Sequence, residues 1–264
     1  MQPPNGLEEK TGITIAPVQK EHSISPAAIN RIIIGIILLI VIVEIGFFKT
    51  YIRHFPQFKD YYVTDGNYTM HFNWIMHFHG MVMMVWILML LIQPILILKG
   101  KIKLHRLVGK FSYLLAPLVM LAFYLANRDN YFSIVADAGQ QVGINVLAVT
   151  FPVIVFFAIL YSLAIIYRHR PALHMRFMCS TAFLFIDPAL SRALTSWTGL
   201  PAFPTSMIII LILVGIVTLV DSLRTKRISP FTLVFCLLLF HKILMDLGNT
   251  PFWQAIGNRI VKIF

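Results

Sequence analysis

Seven long apolar runs, each bounded by polar or basic residues, constrain this chain more than anything else in it. They lie at 31–49, 74–98, 108–127, 143–167, 175–196, 204–222 and 230–248. A membrane helix needs roughly 20 apolar residues to cross about 30 Å of hydrocarbon, and the runs are of that order. The sixth, around "MIIILILVGIVTLV", is apolar but short, and is expected to extend back through Pro204. Backbone N–H and C=O groups cannot stay unpaired in lipid, so runs this long must be helices rather than barrel strands. Composition agrees, since 12% of the residues are charged against about 25% in soluble domains. The expected fold class is all-α, an integral membrane bundle of seven transmembrane helices.

The net charge is +11, but its distribution speaks of topology rather than nucleic acid. "KGKIKLHRLVGK" holds five Lys or Arg, "RHRPALHMR" three and "RTKR" three, whereas the loops alternating with them hold three, one and one, counting Lys49 and Arg192 at the span ends. Basic loops stay in the cytoplasm, which puts the N-terminus inside and the C-terminus outside. The basic surface then meets anionic membrane lipid, and no nucleic-acid partner is expected. Residues 1–27 are polar and read as a disordered cytoplasmic tail before an uncleaved signal anchor. Residues 28–252 form the transmembrane domain, and 253–264 a short interfacial helix with Ile256, Ile260 and Ile263 near one side. The first outer loop, "YIRHFPQFKDYYVTDGNYT", is aromatic enough to lie on the headgroups, and Asn67-Tyr68-Thr69 matches a glycosylation sequon. Cys179 and Cys236 fall inside helices and are expected to be buried free thiols.

Ionisable groups inside a span are costly and normally face the bundle interior. "HFNWIMHFHGMVMM" puts His71, His77 and His79, with Met76, Met81, Met83 and Met84, at the start of the second run. A helix turns about 100° per residue, so His79, Trp86 and Gln93, at intervals of seven, share one stripe. His77 lies about 200° from His79. His79 is therefore expected to face the bundle, with His71 and His77 at its aqueous mouth and the methionines as packing. Counting inward, Glu44, His79, Asp187, His241, Lys242 and Asp246 fall in the outer half and are candidates for one outward-facing polar cavity, which the Trp86 and Gln93 stripe would extend. The plainer alternative is a Lys242–Asp246 pair at i and i+4, with Arg192 reaching the headgroups. At the cytoplasmic end, His105 and His174 occupy equivalent places in a weak repeat of two helical hairpins. They suit either haem ligation or contacts to lipid phosphate beside Arg106 and Arg176.

The pattern His79-x6-Trp86-x6-Gln93 followed by "LHRLVG", "RHRPALHMRFM" and "DPALSR" resembles an uncharacterised group of bacterial multi-pass membrane proteins. That likeness covers residues 77–195 and implies a helical bundle in a bacterial inner membrane, without implying a reaction. A looser likeness is to the cytochrome b ferric reductases, which hold two haems on four histidines; here the fourth helix has no histidine.

Three functions stay open from the sequence. In a b-type haem electron-transfer protein, His79 and His241 would hold an outer haem and His105 and His174 an inner one, with an electron carrier as partner. In a transporter or ion-coupled carrier, Asp187, His241, Lys242 and Asp246 would bind a small solute, and Pro188 would break the fifth helix. In a metal-dependent membrane hydrolase, His79, Asp187 and His241 would hold zinc. A retinal linked through Lys242 fits the topology alone. No catalytic residue, substrate or oligomeric state can be read from the sequence.

Overall fold

The structure, a computed structural model, describes residues 25–54, 59–65, 68–200 and 202–264. Most of the expected tail, residues 1–24, and Asn67 of the sequon lie outside the described residues.

The first helix, α1 (Pro26–Phe48), starts where Ser25 caps it, its Oγ accepting from the Ala28 N–H at 3.3 Å, with Pro26 in the first turn. A short antiparallel hairpin follows, β1 (Tyr61–Asp65) and β2 (Tyr68–Phe72), in the register Tyr61↔Phe72 and Tyr62↔His71. Then come α2 (Trp74–Leu98), α3 (Ile102–Ala138), α4 (Gln140–Thr150), α5 (Pro152–Ile166), α6 (Pro171–Phe183), α7 (Ile186–Thr198), α8 (Ala202–Thr225), α9 (Phe231–Asp246) and α10 (Pro251–Ile260). Among the described residues, 6 helical segments are long and apolar enough to cross a membrane, and α9 with α10 makes a possible seventh, bent by 104°. The protein is an all-α multi-pass membrane bundle.

Among the described residues, two of the 6 full spans are also interrupted, each near a proline. The fourth is α4 and α5 end to end, broken at Phe151 before Pro152. The fifth is α6 and α7, broken at Leu184 and Phe185. Pro188 has no N–H to give the Leu184 carbonyl, and its ring crowds that carbonyl, so the break falls one turn before the proline. The loop expected between the third and fourth spans is largely helical. The 37 residues of α3 run about 55 Å, well beyond a hydrocarbon layer of about 30 Å. Its protruding end, α4, the end of α9 and α10 share a second core of Tyr131, Ile144, Leu147, Ala148, Leu244 and Trp253.

Four helices make a square. α2 packs on α3, α3 on α5, α5 on α6 and α6 on α2, so α3 faces α6 and α2 faces α5 across the diagonals. α1 closes one side against α2 and α7, while α8 and α9 close the other against α7, α6 and α4. The fifth span is the least apolar, yet half of its window (50%) is buried inside the protein, against 17% for the first. Its polar residues are tolerated because protein rather than lipid surrounds them.

The packing face of α1 follows from spacing. Its buried residues Ile29, Ile36, Leu39 and Gly46 recur at intervals of seven, three and seven, a narrow seam of the coiled-coil kind. Gly46 lies so close to α7 that a Cβ there would fall 2.1 Å from the Ala189 carbonyl oxygen. Small residues at such crossings let backbones meet in membranes.

Candidate functional site

Polar groups inside the bundle gather at its two ends, one beside the basic loops and one beneath the hairpin. At the basic-loop end, His105 and His174 are each the fourth residue of a helix, α3 and α6. The His105 N–H bonds the Lys101 carbonyl at 2.9 Å and the His174 N–H the Arg170 carbonyl at 3.0 Å. The equivalence expected from the repeat is thus present in the backbone, and the two helices stand diagonally opposite.

The two rings are near enough to interact electrostatically. His174 Nδ1 lies 2.7 Å from the Ala164 carbonyl, so that nitrogen carries the proton and donates it. The His105 ring sits against the Gln93 carbonyl. Its Nδ1 is buried without a partner, and so is Gln93 Oε1. Ser112 Oγ donates to the Gly109 carbonyl at 2.7 Å and lies 3.0 Å from Tyr161 Oη, which closes the wall beside them. Buried polar atoms are nearly always paired, so two such atoms beside each other make this end a candidate site.

Behind the pair, Arg176 clamps Asp221 with two bonds, at 3.0 and 2.7 Å, and Ser229 Oγ adds a third at 2.6 Å. Both charged side chains are largely buried, at 15% and 18% exposure. This ties α6 to α8 and to the loop before α9. Arg176 is thus committed to protein, not to the lipid phosphate foreseen for it.

Midway along the bundle, Trp86 is fully buried and its indole N–H donates to Thr181 Oγ1 at 3.1 Å. It meets Phe157 at 4.9 Å and Tyr161 at 5.7 Å between ring centroids. Trp86 and Gln93 therefore line the square of helices, and not an outward cavity.

At the hairpin end, His79 lies edge-on to Phe123 at 5.1 Å with its ring against the Ala122 carbonyl, and its Nδ1 is buried without a partner. Arg192 is within electrostatic reach of both His79 and Asp187. Its guanidinium lies 4.7 Å from the Phe47 ring and donates to the Pro188 carbonyl at 3.0 Å, instead of reaching for headgroups. Asp187 is buried and accepts from Ser206 Oγ at 2.6 Å.

His77 does not line an aqueous mouth. It is buried beneath the hairpin, its Nδ1 3.0 Å from Tyr51 Oη. Tyr61 packs over it at 6.1 Å and stacks on Phe72 at 5.0 Å. Burial first, and the neighbouring Tyr51 second, push the Tyr61 phenol up to about 12. Burial also raises that of Tyr51. His71 is more open, stacked on Tyr62 and 3.7 Å from Asp60. The described part of the aromatic loop is therefore a hairpin folded over the start of α2, with Tyr61 and Phe72 against His77 and Tyr51.

The other members of the expected cavity do not converge. Glu44 is exposed, because it lies two residues, about 200°, from Gly46 on the packing face. His241 Nε2 lies 2.8 Å from the Val149 carbonyl, its ring edge-on to Phe156 at 5.8 Å, on the far side of α6 from α2. Lys242 pairs with Asp246 one turn on. Among the described residues, no three His, Cys, Asp or Glu side chains come together to hold a metal ion, so His79, Asp187 and His241 form no zinc centre here. Both cysteines are free, but Cys236 is exposed and not buried. Sequence reasoning missed Thr181, Ser112, Tyr161 and Ser206, whose ordinary residue types carry no signal until the helices are docked. No family model, curated protein or solved structure matches the chain.

Proposed function

We propose that this protein is a membrane electron-transfer protein holding one b-type haem between His105 and His174. The observation that carries this is their placement: two imidazoles on diagonal helices of a four-helix square, one oriented by the Ala164 carbonyl and the other with an unpartnered buried nitrogen. Ligand imidazoles are commonly oriented in this way, with the second ring nitrogen donating to a carbonyl. These donors fit a haem, which would supply a one-electron couple. Tyr161, Ser112 and the Gln93 amide would flank it and shield that end of the bundle from water.

The hairpin end does not fit a second haem. α5, which faces α2, has no histidine, and His241 on α9 packs beyond α6, away from α2 and His79. What connects the two ends is a file of rings from His79 through Phe123, Phe185, Phe157 and Trp86 to Tyr161, with centroid spacings of 4.9 to 6.2 Å. Such a file offers a short-step route between a redox group at the basic-loop end and a partner at the hairpin end.

The test is an absorption spectrum of detergent-purified protein from haem-replete cells, as isolated and after dithionite. A Soret band with sharpened reduced α and β peaks is expected, lost in His105→Ala and in His174→Ala and kept in His241→Ala. A featureless spectrum would sink the proposal.

Transport has one observation in its favour, the interrupted fifth span with buried Asp187 just past the break. Under that function Asp187→Asn abolishes solute flux while leaving any haem spectrum intact.

A further inference from the structure

We infer a specific site for an anionic phospholipid in the cleft between the start of α6 and the start of α9, at the basic-loop end. The cleft has a volume of about 370 Å³ and is walled by Tyr167, Leu173, Phe177, Ile228, Pro230 and Leu233. Its walls are largely apolar and aromatic, as in an acyl-chain groove, with Ser229 and Thr232 the polar residues among them.

Its rim has the opposite character. Tyr167 is followed by Arg168 and Arg170, and Ile228 is preceded by Lys226 and Arg227. The Arg170 guanidinium lies 5.9 Å from the Tyr167 ring centroid, directly over one wall. Arg168, Arg170, Lys226 and Arg227 are all exposed. None is used up by the nearby carboxylate, because Asp221 is held by Arg176 and Ser229. Ile228, one of the lining residues, is 86% exposed and offers an apolar lip to the membrane.

A largely apolar groove with Arg170 over one wall, and with the exposed Arg168, Lys226 and Arg227 on the two loops that supply its lining, is complementary to one kind of molecule at a membrane surface: a lipid with a negatively charged phosphate head and hydrocarbon tails. A zwitterionic lipid would bring its own cation to the same rim, and a free phosphate would leave the groove unfilled. The site is independent of the haem proposed above. Arg176 and Asp221 shape it from behind by fixing the loop that carries Ser229 and Pro230, so the same ion pair that holds α6 to α8 positions the lipid cleft.

The test is native mass spectrometry of the full chain in detergent, titrated with palmitoyl-oleoyl phosphatidylglycerol, with the matching phosphatidylcholine, and with inorganic phosphate. One phosphatidylglycerol is expected to stay bound at activation energies that strip phosphatidylcholine. Arg170→Gln with Arg227→Gln should weaken it about tenfold, and so should Leu233→Trp, which fills the groove and leaves every charge in place. Lys99→Gln with Lys103→Gln removes the same charge from another basic loop and should change nothing. Equal retention of both lipids, equal loss in the Lys99 and Lys103 variant, or unaltered binding in Leu233→Trp would overturn the site. Displacement of the lipid by inorganic phosphate alone would do so too. Circular dichroism of each variant separates loss of the site from loss of the fold.

Discussion

Adding one methyl group at Gly46 should loosen the join between α1 and the central span. The alanine Cβ would sit 2.1 Å from the Ala189 carbonyl oxygen and 2.8 Å from its carbon, where ordinary contact begins at 3.4 Å. Both atoms are backbone, so no side-chain rotation relieves the overlap, and α1 must retreat from α7 by more than an ångström. A gap of about 1 Å forfeits a quarter to a half of the dispersion energy across it, and overpacking of this kind costs about 1–3 kcal/mol. For a chain of this size each kcal/mol lowers the melting midpoint by about 2–4 °C. Gly35→Ala on the same helix is the control, since nothing lies within 4 Å of a Cβ there. It should be neutral or slightly stabilising, because alanine is better than glycine in a helix by about 0.5–1 kcal/mol. Thermal unfolding of both variants in one detergent, followed by intrinsic fluorescence, measures the difference. Equal midpoints would refute close backbone packing of α1 on α7.

Asp221→Ala leaves Arg176 with the Ala172 carbonyl alone and Ser229 Oγ without its acceptor in a partly buried site, and should cost about 1–3 kcal/mol; denaturant-induced unfolding in mixed micelles checks it. The Lys242–Asp246 pair is different. Asp246 is 61% exposed, so a double-mutant cycle should give a coupling of about 1 kcal/mol or less, and a larger one would revive a functional role for the pair. At the hairpin, the folded-state pKa of Tyr61 lies above that of a free phenol, near 12. The stability it contributes is complete below the ordinary tyrosine range and is lost as pH rises toward the folded value. Ultraviolet titration at alkaline pH should therefore find one phenol ionising near 12 in the native protein that is missing in Tyr61→Phe, and an ordinary tyrosine titration in both would count against the packed hairpin.

The membrane-spanning bundle was legible from the apolar runs because lipid leaves a backbone no choice except to pair within its own helix. The first-turn equivalence of His105 and His174 was also legible, since it depends only on where a helix begins after a basic loop. The hairpin could have been found, because "YYVTDGNYTMHF" alternates about an Asp-Gly-Asn turn signal.

What composition and spacing left undecided was which face of each helix turns inward. Glu44 and Gly46 are two residues apart, and only the docking of α1 on α7 selects the glycine face and sends the carboxylate outward. His241, Lys242 and Asp187 are at comparable depths, yet depth along the normal says nothing about position around the bundle, so a cavity drawn from depth alone placed them together. Trp86 with Thr181, or Arg176 with Asp221, are partners across many residues of sequence, and their bonds exist only once the spans are arranged. The chain by itself thus settled that it spans the membrane and in which segments, because those are properties of single helices in lipid. Tertiary structure alone decided which polar groups meet, because that depends on the rotation of each helix about its own axis, set by packing between neighbours.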